Sequence, residues 1–506
     1  MESLQQQQLA SIARDWSLTP ATFGHKISRG SWIPKHFLMY TSAVVARGIA
    51  KGGARIIISA PPRHGKSELA SVYVPAWVLE RFPNKYVILS SYGADLSVGF
   101  GRRVRDIFQD DDNKNLLKSR IKRDASRANA FLTDRGGGMY SVGLGGPITG
   151  RGAHVLLIDD YIKEIKEALS QSYRDYVWNW FVTTAFTRLE PGASCIIIAT
   201  RWHSDDLIGR ILTHLRGENW QYIEIPAIAN HRQGVDQFGR HPGEALFPER
   251  YPLTGPNSLG ERKTVLGSLF FEALFQQRPV DETKKLTDGA WLRVIDIMPQ
   301  RAYLKKARIW DLAATEDGGD FTVGTRMAFS PETEETYIEN VQREQLSPGD
   351  VEDLVYKTAV ADGQDVEILI EQEPGSAGKA LIHHYRTNVL KDFKVTEIPT
   401  SNANNKVIRA QPLLAASETR KVYLLRGDWN QAFIDEFDEF PGLFDDQVDT
   451  AAAGYSYLSG KQVFSATWGR KGKNPAHHRG RVHRKEREGV KAKLMVRGAT
   501  FGRRRA

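Results

Sequence analysis

The sequence predicts an α/β protein with two sheet-bearing regions, and three observations predict it. Apolar strand-like runs alternate with helix-like stretches through the first half, and polar residues fall at the ends of those runs. One run, Arg55-Ile56-Ile57-Ile58-Ser59, passes through Ala60-Pro61-Pro62-Arg63-His64-Gly65-Lys66-Ser67 into a helix-like stretch from Glu68 to Leu79. After about residue 300 a second strand series begins and carries acidic residues at its ends. The first region is expected to be a mostly parallel, doubly wound sheet, because alternating strands and helices place ligand-binding residues at the strand ends.

Composition narrows the function classes. The 506 residues suffice for two or three domains. No run approaches the ~20 apolar residues that cross a bilayer, and the first residues lack a basic stretch leading into an apolar one, so an intracellular protein without membrane contact is expected. The single cysteine lies in Cys195-Ile196-Ile197-Ile198, which excludes an intrachain disulfide and predicts a buried structural thiol rather than a nucleophile. The net charge of +9 is uneven: fifteen Lys and Arg against two Glu put the segment from Lys461 onward at +13, and the preceding 460 residues at −4. A basic tail of this kind suits a polyanion such as nucleic acid; a solvated tail without a fixed partner is the alternative.

The elements follow in order. Residues 1–45 hold a Gln run and then Phe23, Trp32, Pro34, Lys35 and Phe37, a segment that either packs on an adenine or caps the core of the domain. The stretch 46–225 opens with the strand and loop already described. In such a loop backbone N–H groups and the helix N-terminus surround phosphates, Lys66 reaches the β and γ phosphates, and the Ser67 hydroxyl binds Mg²⁺. Ala60 occupies the place of the first glycine in the usual pattern. Lys85 to Ser91 reads as a buried strand and Asp95 to Phe108 as a helix with Arg102, Arg103 and Arg105, which form a solvated basic face or supply an arginine finger to a neighbouring subunit. Val155-Leu156-Leu157-Ile158 then delivers Asp159 and Asp160 together at a strand end. Asp159 is expected to hold Mg²⁺ and Asp160 to orient and deprotonate water. Ser170 to Phe186 reads as an aromatic-rich core helix, and Ser194 to Ala199 as a strand tipped by Thr200, placed to sense the γ phosphate.

From 226 to about 300 the periodicity weakens into a Gly-, Pro- and charge-rich connection with a helix over Glu261 to Gln277. The region 301–460 shows strands at Arg308 to Asp311, Phe321 to Phe329, Glu335 to Val341 and Val366 to Ile370, the last delivering Glu371. A helix over Gln431 to Phe440 precedes Asp445-Asp446-Gln447-Val448-Asp449, where Asp446 and Asp449 share a helical face. Acids gathered from two strand ends and a helix repel unless cations neutralise them, and oxygen-only ligands favour Mg²⁺ or Mn²⁺. Two such ions ~3.5–4 Å apart cleave phosphodiesters. Lys406 and Arg409, on a predicted helix, either contact phosphates or are ordinary surface charge.

With these residues in view, the chain resembles the large terminase subunits of tailed bacteriophages, DNA-packaging ATPase/nucleases. The resemblance runs from about Trp32 to Gly460 and is carried by Pro-Pro-Arg-His-Gly-Lys-Ser at 61–67, Thr149 to Asp160, Ala-Thr-Arg-Trp-His at 199–203, Phe-Gln-Gln-Arg-Pro at 275–279 and Asp-Asp-Gln-Val-Asp at 445–449. The family's phosphate loop also lacks the first glycine, and its loop arginine matches Arg63. The resemblance implies an N-terminal ATPase that translocates double-stranded DNA into a procapsid, and a C-terminal nuclease of the RNase H-like fold that cuts concatemers. It implies ATP and Mg²⁺ at Arg63, His64, Gly65, Lys66, Ser67, Asp159 and Asp160, with Thr200 in a coupling motif. Asp311, Glu371 and Asp446 match the nuclease carboxylates, with Asp449 or Asp445 as a further metal ligand. Glu373 competes with Glu371, and Asp445 and Asp446 are adjacent alternatives. The implied partners are a portal protein, a small terminase subunit and further copies in a ring, acting in the host cytoplasm.

Two other classes fit parts of the sequence. A helicase-like translocase fused to a nuclease would carry a second ATPase-like lobe after Thr200, where a connection is read instead. A structural capsid-associated protein with a degenerate ATPase is disfavoured by intact Lys66, Ser67, Asp159 and Asp160.

Overall fold

The computed structural model describes residues 15–279, 287–301, 303–313, 321–372, 375–399, 406–442 and 445–460. Glu373 and the basic tail from Lys461 lie outside the described residues. Two helices, Pro20–Ile27 and His36–Lys51, come first; Thr19 caps the first, its side chain accepting from the Thr22 N–H while Thr22 reaches back. Phe23, Phe37 and Leu38 are buried in the first core, so this segment caps the domain, the second of its two expected roles.

The first sheet contains β1 (Arg55–Ser59), β2 (Tyr86–Ser91), β3 (Ile121–Arg127), β4 (Ala130–Thr133), β5 (Gly138–Gly143), β6 (Ala153–Asp159), β7 (Leu189–Ala199) and β8 (Gln221–Glu224). Their order is β3-β4-β5-β2-β6-β7-β1-β8, antiparallel at β3/β4 and β4/β5 and parallel elsewhere. Continuous apolar runs form the central strands because both faces are covered. Ile56 and Ile58 of β1, Val155 and Leu157 of β6, and Ile196 and Ile198 of β7 enter one core with Phe37 and Leu69. The alternate residues Ile57, Leu156, Ile158, Cys195 and Ile197 enter the opposite core with Trp180, Phe181 and Ile208. Each fully buried isoleucine is worth about 1.5–3 kcal/mol. Cys195 is buried there, its thiol pushed up to about 12 by desolvation.

Three local expectations change. The stretch after the phosphate loop opens with a π-helical turn, Glu68–Tyr73, before the α-helix Val74–Arg81. Pro75 has no N–H for the α-helical ladder, and Val74 donates instead to Leu69 O. The aromatic helix is shorter than read, Gln171–Trp180, and ends in another wide turn, Phe181–Ala185. Strands β3 to β5 were not anticipated, because β3 is a polar edge strand and β5 carries glycine at both ends.

The second sheet contains β9 (Arg293–Ile295), β10 (Lys305–Asp311), β11 (Thr322–Phe329), β12 (Thr336–Glu344), β13 (Glu367–Gln372), β14 (Val395–Pro399) and β15 (Val422–Leu425), ordered β14-β13-β10-β11-β12-β15-β9. The β10/β11 and β11/β12 pairs are antiparallel; the others are parallel. Glu371 lies within β13 rather than just beyond it. The helix Asp446–Ser459 packs Val448, Ala451, Ala452 and Tyr455 into this core with Ile309 and Met327. It approaches closely at Gly454, where a Cβ would stand 2.5 Å from both Ile309 Cδ1 and Met327 Sδ. The helices Pro348–Asp362 and Ser376–His384, with β9, β14 and β15, went unread in the sequence.

The connection carries the helix Leu259–Leu274, interrupted at Gly267, whose φ is +70°. Its break is grasped by the helix Lys406–Glu418: Glu418 accepts from the Ser268 N–H at 2.8 Å, and Gln411 donates to Val265 O and Leu266 O. Among the described residues, no helix is long and apolar enough to cross a membrane.

Candidate active sites

The first site is assembled by strand order. β7 lies between β1 and β6, so Thr200 at its tip stands between the phosphate loop that leaves β1 and the acids that end β6. Arg63 and Gly65 take positive φ, +64° and +86°, which turns the loop back on itself. Lys66 Nζ pairs with Asp160 Oδ2 at 2.9 Å, and the Thr200 N–H donates to Asp160 Oδ1 at 3.1 Å. Asp160 has φ +45° and is pinned on both sides, its N–H donating to Ile198 O and its carbonyl accepting from the Tyr92 N–H, each at 2.9 Å. The Thr200 hydroxyl donates to Ala60 O at 3.2 Å, tying the β7 tip to the start of the loop.

Asp159 is buried beneath this layer. Ser67 Oγ donates to its Oδ1 at 3.1 Å and Ser71 Oγ to its Oδ2 at 2.6 Å. Desolvation, then the charge of Asp160, raise its pKa; Lys66 and the two serines oppose that rise. Ser71 had no sequence motif to mark it, although it falls one helical turn after Ser67.

His64 takes a different place from the one expected of a loop residue. Its ring is 1% exposed and packs against Tyr251 at 4.9 Å, Phe247 at 6.4 Å and Phe37 at 6.5 Å. Burial first, with Arg250, Lys66 and Arg262 nearby, brings its pKa down to about 4. The imidazole is therefore neutral, and Nδ1–H donates to Pro62 O at 2.9 Å. Its side chain supports the loop from behind, on an aromatic bed shared by the His36–Lys51 helix and the connection.

The second site gathers carboxylates in the other sheet. Trp310 of β10 pairs in parallel register with Ile370 of β13, which sets Asp311 beside Glu371 at neighbouring strand ends. Burial, followed by Asp311 and Asp449, pushes Glu371 up to about 7, against the pull of Arg409 and Lys406. Asp449 is pushed up to about 6 by burial and Asp445, again against Arg409 and Lys406. Arg409 Nη2 lies 2.8 Å and Lys406 Nζ 3.5 Å from Asp449 Oδ2, and Lys406 also pairs with Asp445. Among the acids of the Asp446–Ser459 helix, Asp449 weighs most on Glu371; Asp446 occupies the first position, half-buried.

That helix is aimed by groups that carried no motif. Glu436 Oε1 accepts the Gln447 N–H at 2.6 Å and the Val448 N–H at 3.2 Å, capping its first turn, and the Thr450 and Thr325 hydroxyls join at 2.7 Å. Among the described residues no group of three or more His, Cys, Asp or Glu is drawn together as a metal-binding set. Lys406 stands on Asp445 and Arg409 on Asp449. The donor chemistry nonetheless fits a hard cation: the acids offer oxygen only and repel one another, and among the described residues Asp449 Oδ1 is buried without a partner.

A family model described as "Terminase large subunit, T4likevirus-type, N-terminal" matches residues 57–312, and one described as "Terminase RNaseH-like domain" matches residues 308–458. Among solved structures, the chain is similar to the large terminase from a thermophilic bacteriophage in complex with ADP, at 14% identity over 81% of this chain and 95% of that one, TM-score 0.42. It is similar to the HK97 bacteriophage large terminase at 12% identity, covering 84% and 94%, TM-score 0.34. The large terminase nuclease from thermophilic phage G20c with bound magnesium matches at 14% identity, covering 35% and 98%, TM-score 0.26. No curated protein matches.

Proposed function

The chain belongs to the terminase large subunit family, and from that premise we propose that it is a viral genome-packaging motor subunit. It hydrolyses ATP to translocate double-stranded DNA into a procapsid and cuts concatemeric DNA with a metal-dependent nuclease. The observation that carries this reading is the separation of two carboxylate sites on two sheets, one facing a phosphate loop and the other facing none. The proposed domains are an N-terminal segment to 45, the ATPase to 225, a connection to 300, the nuclease to 460 and a basic tail.

At the ATPase site Lys66 must leave Asp160 to reach the phosphates of ATP. That exchange frees Asp160 Oδ2, 2.9 Å from Lys66 in the present state, to accept a proton from water, while the Thr200 N–H keeps the other oxygen in place. Arg63 and Gly65 shape the loop around the phosphates, and Ser67 and Asp159 would hold Mg²⁺. At the nuclease site Asp311, Glu371, Asp446 and Asp449 would hold Mg²⁺ or Mn²⁺, which when bound polarises the phosphodiester and activates water. Lys406 and Arg409 would exchange a carboxylate for a DNA phosphate. A ring of copies, a portal protein and a small terminase subunit are the proposed partners, in the host cytoplasm.

The test is ATP turnover and plasmid cleavage, with Mg²⁺ or Mn²⁺, by the wild type, Lys66→Ala and Asp311→Ala. Lys66→Ala should lose turnover and keep cleavage, and Asp311→Ala should do the reverse. Cleavage that survives Asp311→Ala undiminished sinks the nuclease assignment, and turnover that survives Lys66→Ala sinks the ATPase one.

A further inference from the structure

The connection is fastened to the nucleotide site by one buried side chain. Gln277 follows the helix Leu259–Leu274, is 1% exposed, and holds φ at +60°, a left-handed conformation that a non-glycine residue keeps only where its surroundings impose it. Its Nε2 donates to Leu274 O at 2.6 Å, and its Oε1 accepts the Arg201 N–H at 3.2 Å. One partner is a carbonyl and the other an N–H, so the orientation of the amide is fixed by chemistry. Arg201 directly follows Thr200, whose N–H donates to Asp160 at 3.1 Å. Two consecutive amides at the β7 tip therefore serve two masters: the first holds the hydrolytic carboxylate, and the second is held by the connection. The Arg201 side chain cannot compensate: a guanidinium carries donors only, and its Nε is committed to Asp206 Oδ2 at 2.8 Å.

We infer that Gln277 is a positioning residue for ATP hydrolysis: it fixes the β7 tip so that the Thr200 N–H meets Asp160, and so makes turnover depend on how the connection is seated. The inference rests on the ATPase reading above. Without the Gln277 acceptor the Arg201 N–H is buried and unsatisfied, and the peptide that precedes it turns to find another partner, taking Thr200 with it. The neighbouring Gln276 supplies a built-in control. Its Oε1 accepts the Ile228 N–H at 2.9 Å and its Nε2 donates to Ile228 O at 3.1 Å, so it anchors the same segment by the same chemistry away from β7.

The experiment measures ATP turnover, KM and ADP affinity for the full chain as wild type, Gln277→Leu, Gln277→Glu and Gln276→Leu. Gln277→Leu should lower kcat about 10-fold or more while KM and ADP affinity stay within about 2-fold, and Gln276→Leu should leave kcat within about 2-fold. Gln277→Glu, neutral in this buried place, keeps an acceptor for the Arg201 N–H and an O–H for Leu274 O, and should hold kcat within about 3-fold of wild type at pH 6–7. Wild-type kcat in Gln277→Leu overturns the inference, as does an equal fall in both leucine variants. If Gln277→Leu does not fold, Gln277→Glu decides: retained kcat supports the role, and a loss of about 10-fold or more removes it. A wild type without turnover would sink the ATPase reading itself, whereas an active wild type with an indifferent Gln277 sinks this inference alone.

Discussion

The two sheets each bring carboxylates to strand ends, but they compensate those charges differently. In the first, the two acids are adjacent in the chain and each is met by donors carried in from the phosphate loop, the turn after it or the β7 tip: Lys66 and the Thr200 N–H on Asp160, Ser67 and Ser71 on Asp159. In the second, Asp311, Glu371 and Asp449 arrive from segments far apart in the chain, and Glu371 and Asp449 are raised by burial and by one another's neighbours. Its counter-charges, Lys406 and Arg409, come from a single helix. The difference teaches what each site awaits. A lysine already neutralised by an acid is ready to trade that acid for an anion, whereas a cluster of under-compensated acids gains most from a cation.

The strongest way to break this comparison is Asp160→Asn. It removes the partner of Lys66 and the proton acceptor together, and should lower ATP turnover by about 100-fold or more with DNA cleavage unchanged. A fall in cleavage of similar size would mean that the sites are not independently compensated.

Glu371→Gln sharpens the other half. The Glu371 carboxyl stands at about 7 in the folded protein against an ordinary 4.5. Between those values the folded chain binds a proton the unfolded chain releases, so stability from this group declines as pH rises through that window. At pH 8 the variant should therefore melt higher than wild type, by about 1–2 kcal/mol in stability, with the gap closing towards pH 5. Mg²⁺ should raise the wild-type melting temperature more than the variant's. A variant that melts lower at pH 8 would show that Lys406 and Arg409 already satisfy the cluster.

The smallest expected effect is that of Ser71→Ala. The Ser71 hydroxyl holds the Asp159 pKa down, so its loss should move the acid limb of the turnover profile to higher pH, by about half a unit to one unit, or about 1 kcal/mol. An unmoved limb would detach Asp159 from the pH dependence.

The sequence was most legible where a continuous apolar run ends in a polar residue. The apolar runs of β1, β6 and β7 are each buried on both faces, and their hydrophobicity alone announces them, together with Lys66, Asp159, Asp160 and Thr200 at or beyond their ends. β3 and β5 were illegible for the opposite reason: a polar edge and a glycine-bounded strand have no pattern to read. In the second sheet Asp311 and Glu371 could be picked out, but their adjacency depends on the Trp310 to Ile370 register, which no local signal encodes. Ser71 and Glu436 lie in no motif, and their hydrogen bonds run to groups that no local pattern points to; Gln277 falls inside the Phe-Gln-Gln-Arg-Pro stretch, but nothing in that stretch names Arg201 as its partner. His64 shows the converse, a residue inside a legible motif whose side chain turned out to serve the packing behind it.

The placement of β7 also restricts how this protein can vary. Its alternate residues fill two different cores, Cys195 and Ile197 on one side and Ile196 and Ile198 on the other, while its last step delivers Thr200 to Asp160 and Ala60. Removing or adding one residue between Ser194 and Ala199, where the register with β6 is continuous, would exchange the two sets of side chains and displace Thr200 in the same stroke. Change in that stretch is thus confined to substitution at constant length, because the two cores and the strand tip count its residues from opposite ends and must reach the same number.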